Sequence, residues 1–419
     1  NSKKVDIIIC DHHTPGDSLP EAIAVLDPQR KDCEYPYKWL SGCGVSFKLV
    51  QAHSLKHNLP MSELYKLLDL LCVSIVSDIV PITGENRILA YYGLQQLNTQ
   101  PSLGLKTIIK VAGIGKEISI NDIVFRIGPR INAAGRVESG RKSVELLTAD
   151  SESTAEDIAL DIDTFNDQRK KLDHNITEEA IRHIKHSDIE PSKKTTVLFN
   201  SNWHKGVIGI VASRLTESFY RPTIILTESN GLATGSARSV EGFDLYYAIS
   251  QCSEYLENYG GHKYAAGLTL KLENLEPFKE KFEQIVCETI NDEMLTPQIN
   301  IDAQLKLSDI TPEFYHMLQK FAPFGPNNTI PVFVTENVIN FIGTRRVGRN
   351  NEHLKLVVVD DTRVCNDRSG IGFGMGNLYD KINTGHFFDI CYTLQENEFM
   401  GKNDIQMMLK DLHFQDDEN

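Results

Sequence analysis

No Cys-x-x-Cys pair occurs among the eight cysteines, Cys10, Cys33, Cys43, Cys72, Cys252, Cys287, Cys365 and Cys391. Their scatter argues against a zinc site and a disulfide framework, and fits a reducing cytoplasm. No apolar run is long enough to span a bilayer, and nothing reads as a cleavable leader, so no membrane partner is expected. Positive charge is short as well. The net charge is −14, the wrong sign for a generic nucleic-acid coat, so any DNA-binding groove must be local and built from particular arginines and lysines. Internal repeats and low-complexity segments are missing, and only the tail Asp416-Asp417-Glu418 reads as plainly solvated.

What is present is a chain of 419 residues with 41% hydrophobic content, enough for two or three domains with separate cores. Val5 to Cys10 is a short continuous apolar run, as in a strand buried on both faces of a parallel sheet. It ends at Asp11-His12-His13. A second strand is expected at Ile23 to Leu26. One helix should follow Ser41-Gly42, and another should open at Ser62-Glu63 and run through Leu64, Leu67, Leu68 and Leu71. From Ser153, Ile158, Ile162, Phe165, Leu172, Ile176, Ala180 and Ile184 recur at helical spacing, which predicts one long amphipathic helix ending before Pro191-Ser192.

A second α/β unit is expected beyond it. Its strands fall at Thr195–Phe199, Thr223–Leu226 and Leu268–Leu272, and its helices at Gly206–Leu215, Asp244–Tyr255 and Leu275–Glu293. After Pro297 short runs at Ile299–Ile301, Val332–Val334, Leu354–Val359, Ile371–Phe373 and Ile405–Leu409 suggest a small β-barrel. The domains are therefore drawn at residues 1–150, 192–295 and 296–415, with a connecting helix at 151–191.

Ligands of open α/β sheets bind at the carboxyl ends of the strands, where Asp11, His12 and His13 fall. Carboxylate and imidazole donors suit a divalent ion such as Mn²⁺. A polar turn after a strand explains the triplet equally well. Asp78 adds to the metal reading, because it stands in the nearly apolar run Leu70 to Pro81, where a carboxylate is costly unless paired or metal-bound. A helix-end aspartate bonded to nearby amides is the ordinary alternative.

Seven stretches resemble, in order, the motifs of the RecJ exonucleases of the DHH phosphoesterase family. They are IIICDHH, LSGCGVSFKL (Leu40–Leu49), SDIVPITGENR (Ser77–Arg87), GPRINAAGR (Gly128–Arg136), NWHKGVIGIVASRL (Asn202–Leu215), GSARS (Gly235–Ser239) and GGHKYAAGL (Gly260–Leu268). The resemblance implies a partial DHH parallel-sheet domain and a DHH-associated domain joined by the long helix, with a C-terminal OB-type barrel. It implies an exodeoxyribonuclease that hydrolyses single-stranded DNA 5′→3′ in recombination and repair, with two Mn²⁺ or Mg²⁺ ions. It makes His12 and Asp78 metal ligands, Asp11 a ligand or the group that orients one, and His13 a contact to the scissile phosphate.

The same resemblance points to Arg130, Ser236 and Arg238, with Arg136, as a pocket for the 5′ end of the strand. A hydroxyl beside a guanidinium is a suitable pair for a terminal phosphate. His204-Lys205, read at a helix start, and Gly260-Gly261-His262, read as a turn, are further phosphate contacts. Arg345 and Arg346 lead the basic group of the C-terminal region, with Phe321, Phe324 and Phe333 as stacking candidates that are mostly core. Taken singly, each of these also has a plain structural explanation, such as tight packing at a glycine or a solvated arginine face.

The family also carries an Asp-x-Asp and a further aspartate upstream of Asp-His-His, and neither lies in this sequence. The chain starts at Asn1 with an apolar run almost at once. It is thus expected to be a piece of a longer, monomeric enzyme, feebly active alone, with an exposed apolar edge near Asn1–His13 prone to self-association. A helicase or single-strand-binding protein would deliver its substrate. Two other readings stay open: an oligonucleotide or cyclic-dinucleotide phosphodiesterase of the same superfamily, and a non-catalytic single-strand-binding protein.

Overall fold

A computed structural model describes residues 5–16, 18–186, 193–360, 367–399 and 402–414. The chain divides into two compact units, Asn1–Gln95 with Ile299–Asn419, and Gln96–Gln298.

In the first unit β1 (Ile8–Cys10) and β2 (Ala24–Leu26) pair in parallel. Val5, Ile7, Ile8 and Ile23 on and beside them are about half exposed or more, so an apolar patch faces solvent there; Asn1–Lys4 lie outside the described residues. Helix α1 (Gly42–Lys56) starts where the sequence placed it, because the Ser41 side chain accepts the Gly44 amide at 3.2 Å. The single helix expected from Ser62 is two, α2 (Met61–Tyr65) and α3 (Leu68–Ser77). A turn at Lys66–Leu67 leaves Leu67 exposed and re-aims the second helix so that Leu71, Cys72, Ile75 and Val76 are buried. Helix α4 (Gly84–Thr99) follows.

The second unit begins with α5 (Leu103–Val111). A short α6 (Ile120–Asp122) passes through a π-helical turn, Ile123–Ile127, into α7 (Gly128–Val137). GPRINAAGR is therefore not a loop. Pro129 sits in the first turn of α7, where its missing N–H costs nothing, and Ala133 and Ala134 are fully buried. The small residues serve close helix packing. After α8 (Arg141–Leu147), α9 (Glu152–His186) is the long helix that the periodicity predicts, with Ala155, Ala159, Ile162, Ile176, Ala180 and Ile184 buried. The Pro191-Ser192 break lies outside the described residues.

The sheet of this unit contains β3 (Thr196–Phe199), β4 (Thr223–Ser229), β5 (Leu232–Arg238), β6 (Leu256–His262) and β7 (Ala265–Lys271), in the order β3-β4-β5-β7-β6. The first pair is parallel and the rest antiparallel. Helix α10 (Ile208–Phe219) packs on one face, and α11 (Leu245–Ser250) and α12 (Leu275–Thr289) contribute to the core on the other. The helix expected over Asp244–Tyr255 stops at Ser250 and resumes only as a 3₁₀ turn. Gly260-Gly261-His262 is the end of β6 and not a turn.

The C-terminal part of the first unit holds β8 (Ala303–Gln304), α13 (Pro312–Gln319), β9 (Phe333–Asn340), β10 (Arg345–Val347), β11 (His353–Val359), β12 (Arg368–Gly372), α14 (Tyr379–Ile382), β13 (Phe388–Phe399) and β14 (Lys402–Phe414). The order is β10-β11-β12-β14-β13-β9-β8, and β11 also pairs with β9, so five strands close into a ring. Its interior is apolar and includes Phe333, Leu354, Leu356, Phe388 and Tyr392. Ile299 and Ile301 are exposed and form no strand. No helix among the described residues is long and apolar enough to cross a membrane.

Arg87, at the end of the SDIVPITGENR motif, fastens this part to α4. Its guanidinium donates to the carbonyls of Phe321 (3.2 Å), Lys320 (3.0 Å) and Ala322 (3.3 Å), just past the end of α13. Nearby, the Ile82 amide donates to Pro326 O at 2.8 Å. Arg87→Ala is expected to cost about 1–3 kcal/mol, since it removes charge-assisted bonds to carbonyls left over at a helix end. Urea unfolding followed by far-UV circular dichroism checks this, and a change under about 0.5 kcal/mol would contradict it.

Candidate active site

Strand β1 delivers Asp-His-His at its carboxyl end. One Asp11 oxygen accepts the amides of His12 (2.7 Å) and His13 (3.2 Å) and the His13 ring Nδ1 (2.7 Å). Burial pushes the Asp11 carboxyl up, but the hydrogen bonds from His13 and from the two amides together outweigh it and leave its pKa below the ordinary value. Its contribution to stability is thus present above the unfolded value and fades as pH falls through the folded one. His12 turns the other way. Its Nε2 lies 3.1 Å from Asp78 Oδ2, with the His12 side chain 17% exposed.

Asp78 is not buried as its apolar neighbours suggested; its side chain is 42% exposed. It caps the C-terminus of α3, whose apolar residues Leu71, Cys72, Val73, Ile75 and Val76 face the core, while Ile79 after it is exposed. A carboxylate at the negative end of a helix dipole is unfavourable without a cation nearby. The next residue, Ile79, holds φ at +56°, a strained conformation for a β-branched side chain. Two serines set this geometry, Ser41, read in the sequence only as a helix start, and Ser74, which was given no role. Ser74 Oγ donates to Ser41 Oγ at 3.1 Å, and the Asp78 amide donates to Ser74 O at 3.0 Å, so the cap of α1 is bolted to the turn that carries Asp78. The LSGCG motif was the available signal.

The donor set fits a divalent cation. Asp11, His12 and His13 offer ligand atoms within 4.8 Å of one another, and Asp78 faces His12. A nitrogen and an oxygen 3.1 Å apart also match two neighbouring ligands on one ion with bonds of ~2.1 Å.

In the second unit strand register assembles what the sequence left scattered. Ser236 is opposite Gly267, which is opposite Gly260; Arg238 is opposite Ala265, which is opposite His262. Residues two apart on a strand share a face, so Ser236, Arg238 and His262 stand on one face around a floor of glycine and alanine. Gly261 has φ +150°, and a Cβ there would overlap the Ala265 carbonyl. Arg238 donates to Ser236 Oγ at 3.0 Å and to Ala237 O at 2.8 Å. Gly209 of α10 lies beneath both; a Cβ on it would be 3.0 Å from Ser236 Oγ and 3.2 Å from the Arg238 guanidinium.

His204 and Lys205 precede α10, which begins at Ile208. His204 Nδ1 accepts the Gly206 amide at 3.1 Å, and a Cβ at Gly206 would overlap the carbonyl of Arg136. Arg136 donates to Gly206 O at 3.1 Å. Arg130 pairs with Asp163 at 2.8 Å and donates to Arg126 O. Sequence reasoning missed Arg169, which sat inside an amphipathic helix without a distinguishing pattern, and gave no role to Arg214, although it lies in the NWHKGVIGIVASRL motif. Burial lowers the pKa of Arg136, Arg169 and Arg238, and neighbouring guanidinium groups add to the lowering in Arg169 and Arg238.

Among the C-terminal basic residues, Arg346 is committed to Gly376 O (2.8 Å), Asp380 (2.7 Å) and the Tyr379 ring (5.0 Å). Arg345 is exposed and pairs in register with Lys355. Phe333 is core at 4% exposure, whereas Phe373, expected only as the end of a strand and not as a stacking ring, is 63% exposed against His353. Arg345→Ala should lower the slope of log affinity against log salt by about 0.7 for single strands, while Arg346→Ala should lower stability instead. Salt titrations of oligonucleotide binding by both variants test this; equal slopes would contradict it.

Family models match residues 1–75 as the DHH family N-terminal domain, 192–288 as the DHHA1 domain and 301–411 as the RecJ OB domain. The single-stranded-DNA-specific exonuclease RecJ of Salmonella typhimurium is 31% identical over 97% of this chain and 73% of its own length. The chain belongs to the RecJ family. RecJ of Bacillus subtilis is 36% identical over 97% of this chain. The crystal structure of RecJ in complex with Mn²⁺ from Thermus thermophilus superposes with a TM-score of 0.85 at 26% identity, over 99% of this chain. The chain spans 51% of the Bacillus RecJ relative and 59% of the Thermus RecJ chain.

Proposed function

We propose that this chain supplies the divalent-metal ligands and the strand-end pocket of a RecJ exonuclease that degrades single-stranded DNA from its 5′ end. The approach of His12 to Asp78 at 3.1 Å, across two motifs 66 residues apart, carries the reading. His12, Asp78 and Asp11 would hold Mn²⁺ or Mg²⁺, the ions with which the similar Thermus RecJ structures are in complex. Such ions supply Lewis acidity and an activated water for phosphodiester hydrolysis.

The chain's own residues do the rest. Asp11 fixes the His13 ring through Nδ1, leaving Nε2 as the nitrogen assigned to the scissile phosphate. Ser236 and Arg238, with Arg136, take the terminal phosphate, and His262 with the glycine floor accommodates the backbone that follows. Gripping one end of the strand sets the polarity. Arg345, Lys355 and the exposed Phe373 supply a charged and aromatic surface for the strand, in keeping with the OB domain match. The domain division at 150, 191 and 295, the cytoplasmic setting and delivery by a helicase or single-strand-binding protein belong to this reading.

The test is digestion of 5′-labelled single-stranded DNA with Mn²⁺, by the native protein containing this chain and by residues 1–419 side by side. Release of labelled mononucleotide first supports the reading. Cleavage of dinucleotides only, or binding without any cleavage by the native protein, overturns it in favour of the two other readings.

A further inference from the structure

We propose that Asp173, a residue of α9 outside every motif discussed above, is a positioning residue that sets the arginines for the terminal phosphate. The proposal rests on the assignment of Ser236 and Arg238 to that phosphate. Asp173 is 1% exposed, and one of its oxygens accepts Arg214 of α10 at 2.8 Å while the other accepts the Thr177 hydroxyl at 3.5 Å. Its charge also favours the protonated forms of Arg136 and Arg169 against the burial that lowers them.

Four guanidinium groups stand on elements that pack against one another: Arg136 of α7 and Arg169 of α9, Arg214 of α10, which packs on both α9 and β5, and Arg238 of β5. Arg169 feels Arg136 and Arg214, and Arg238 feels Arg136. Arg130, close to the same group, has its own partner in Asp163. Among the described residues, the ion pair between Arg214 and Asp173 is the one that gives any of those four a carboxylate partner. One carboxylate among four guanidinium groups leaves a surplus of positive charge that a phosphate can neutralise. A purely structural salt bridge would not need that surplus.

Arg214 is 54% exposed, so without Asp173 it is free to leave the group for solvent. Removing the carboxylate has two opposite consequences. The local potential becomes more positive, which strengthens non-specific attraction to DNA. The guanidinium fork loses its orientation, which weakens recognition of a doubly charged end.

The native protein is assayed on single-stranded DNA bearing a 5′-phosphate or a 5′-hydroxyl, with Asp173→Asn and Arg238→Ala as the variants. Asp173→Asn should reduce the preference for the phosphate about tenfold through KM, with kcat kept, while the salt slope of binding stays equal or steepens. Asp173→Glu should restore part of the preference. An unchanged preference in Asp173→Asn, where Arg238→Ala loses it, overturns the proposal and leaves the pocket intact. An unchanged preference in both overturns the pocket itself. Should Asp173→Asn fail to fold, Arg214→Lys takes its place: it keeps the charge and loses the fork, and an unchanged preference there overturns the proposal.

Discussion

Replacing His12 by alanine is expected to reduce metal-dependent cleavage of single-stranded DNA by the native protein about a thousandfold, on the basis that a bound ion supplies several kcal/mol of transition-state stabilisation. The imidazole is mostly enclosed, with its Cδ2 near the position a side chain on Gly42 would take and its Nε2 on Asp78. Its loss leaves Asp78 as a lone carboxylate at a helix C-terminus, a poor place to keep an ion-binding group in register. Asp78→Asn should cause a loss of the same order, because it keeps the shape and removes the charge. The double variant should be little worse than either single one, since both residues serve one ion. Initial rates on 5′-labelled oligonucleotide across a Mn²⁺ titration measure all three. If His12→Ala keeps a tenth or more of the wild-type rate at saturating metal, the assignment of this site to catalysis is wrong.

Replacing Arg238 by alanine is expected to raise KM for a 5′-phosphorylated strand about a hundredfold and to leave the 5′-hydroxyl strand nearly unaffected. The guanidinium is largely enclosed and held by Ser236 Oγ and Ala237 O, so little ordering remains to be done on binding. Ser236→Ala should have a smaller effect of the same kind, as a neutral hydroxyl contributes less than a cation. Competition between the two strand types, each at several salt concentrations, separates this recognition from general attraction to polyanions. Equal loss on both strands would mean that Arg238 reads the backbone and not its end.

Much of this was legible in the residues because the physics was local. The strand before Asp-His-His, the Ser41 cap and the periodicity of α9 each need only a few neighbours to be read, although the expected burial of that strand on both faces fails, with Val5, Ile7 and Ile8 about half exposed. The glycine-rich strands were not legible. In β5 every second residue is buried, yet those residues are Ala233, Gly235 and Ala237, too small for their alternation to stand out. β6 is mostly exposed and carries Glu257 and Asn258, so it resembles a loop. The face that joins Ser236 to Gly260 therefore appears only once the strands are in register. Asp78 illustrates the converse error: apolar neighbours along the chain did not mean an apolar surrounding, because a helix end turns its last side chain outward. Arg130 and Arg346 looked like free cations in the sequence and are spoken for by Asp163 and Asp380.

The floor beside Ser236 has a bearing on which sequences such an enzyme could process. Discriminating among bases requires side chains that reach their edges, and Gly267, Gly260 and Ala265 present none. A strand laid across that surface offers only its sugar–phosphate chain for inspection, so purine and pyrimidine tracts would pass at similar speed.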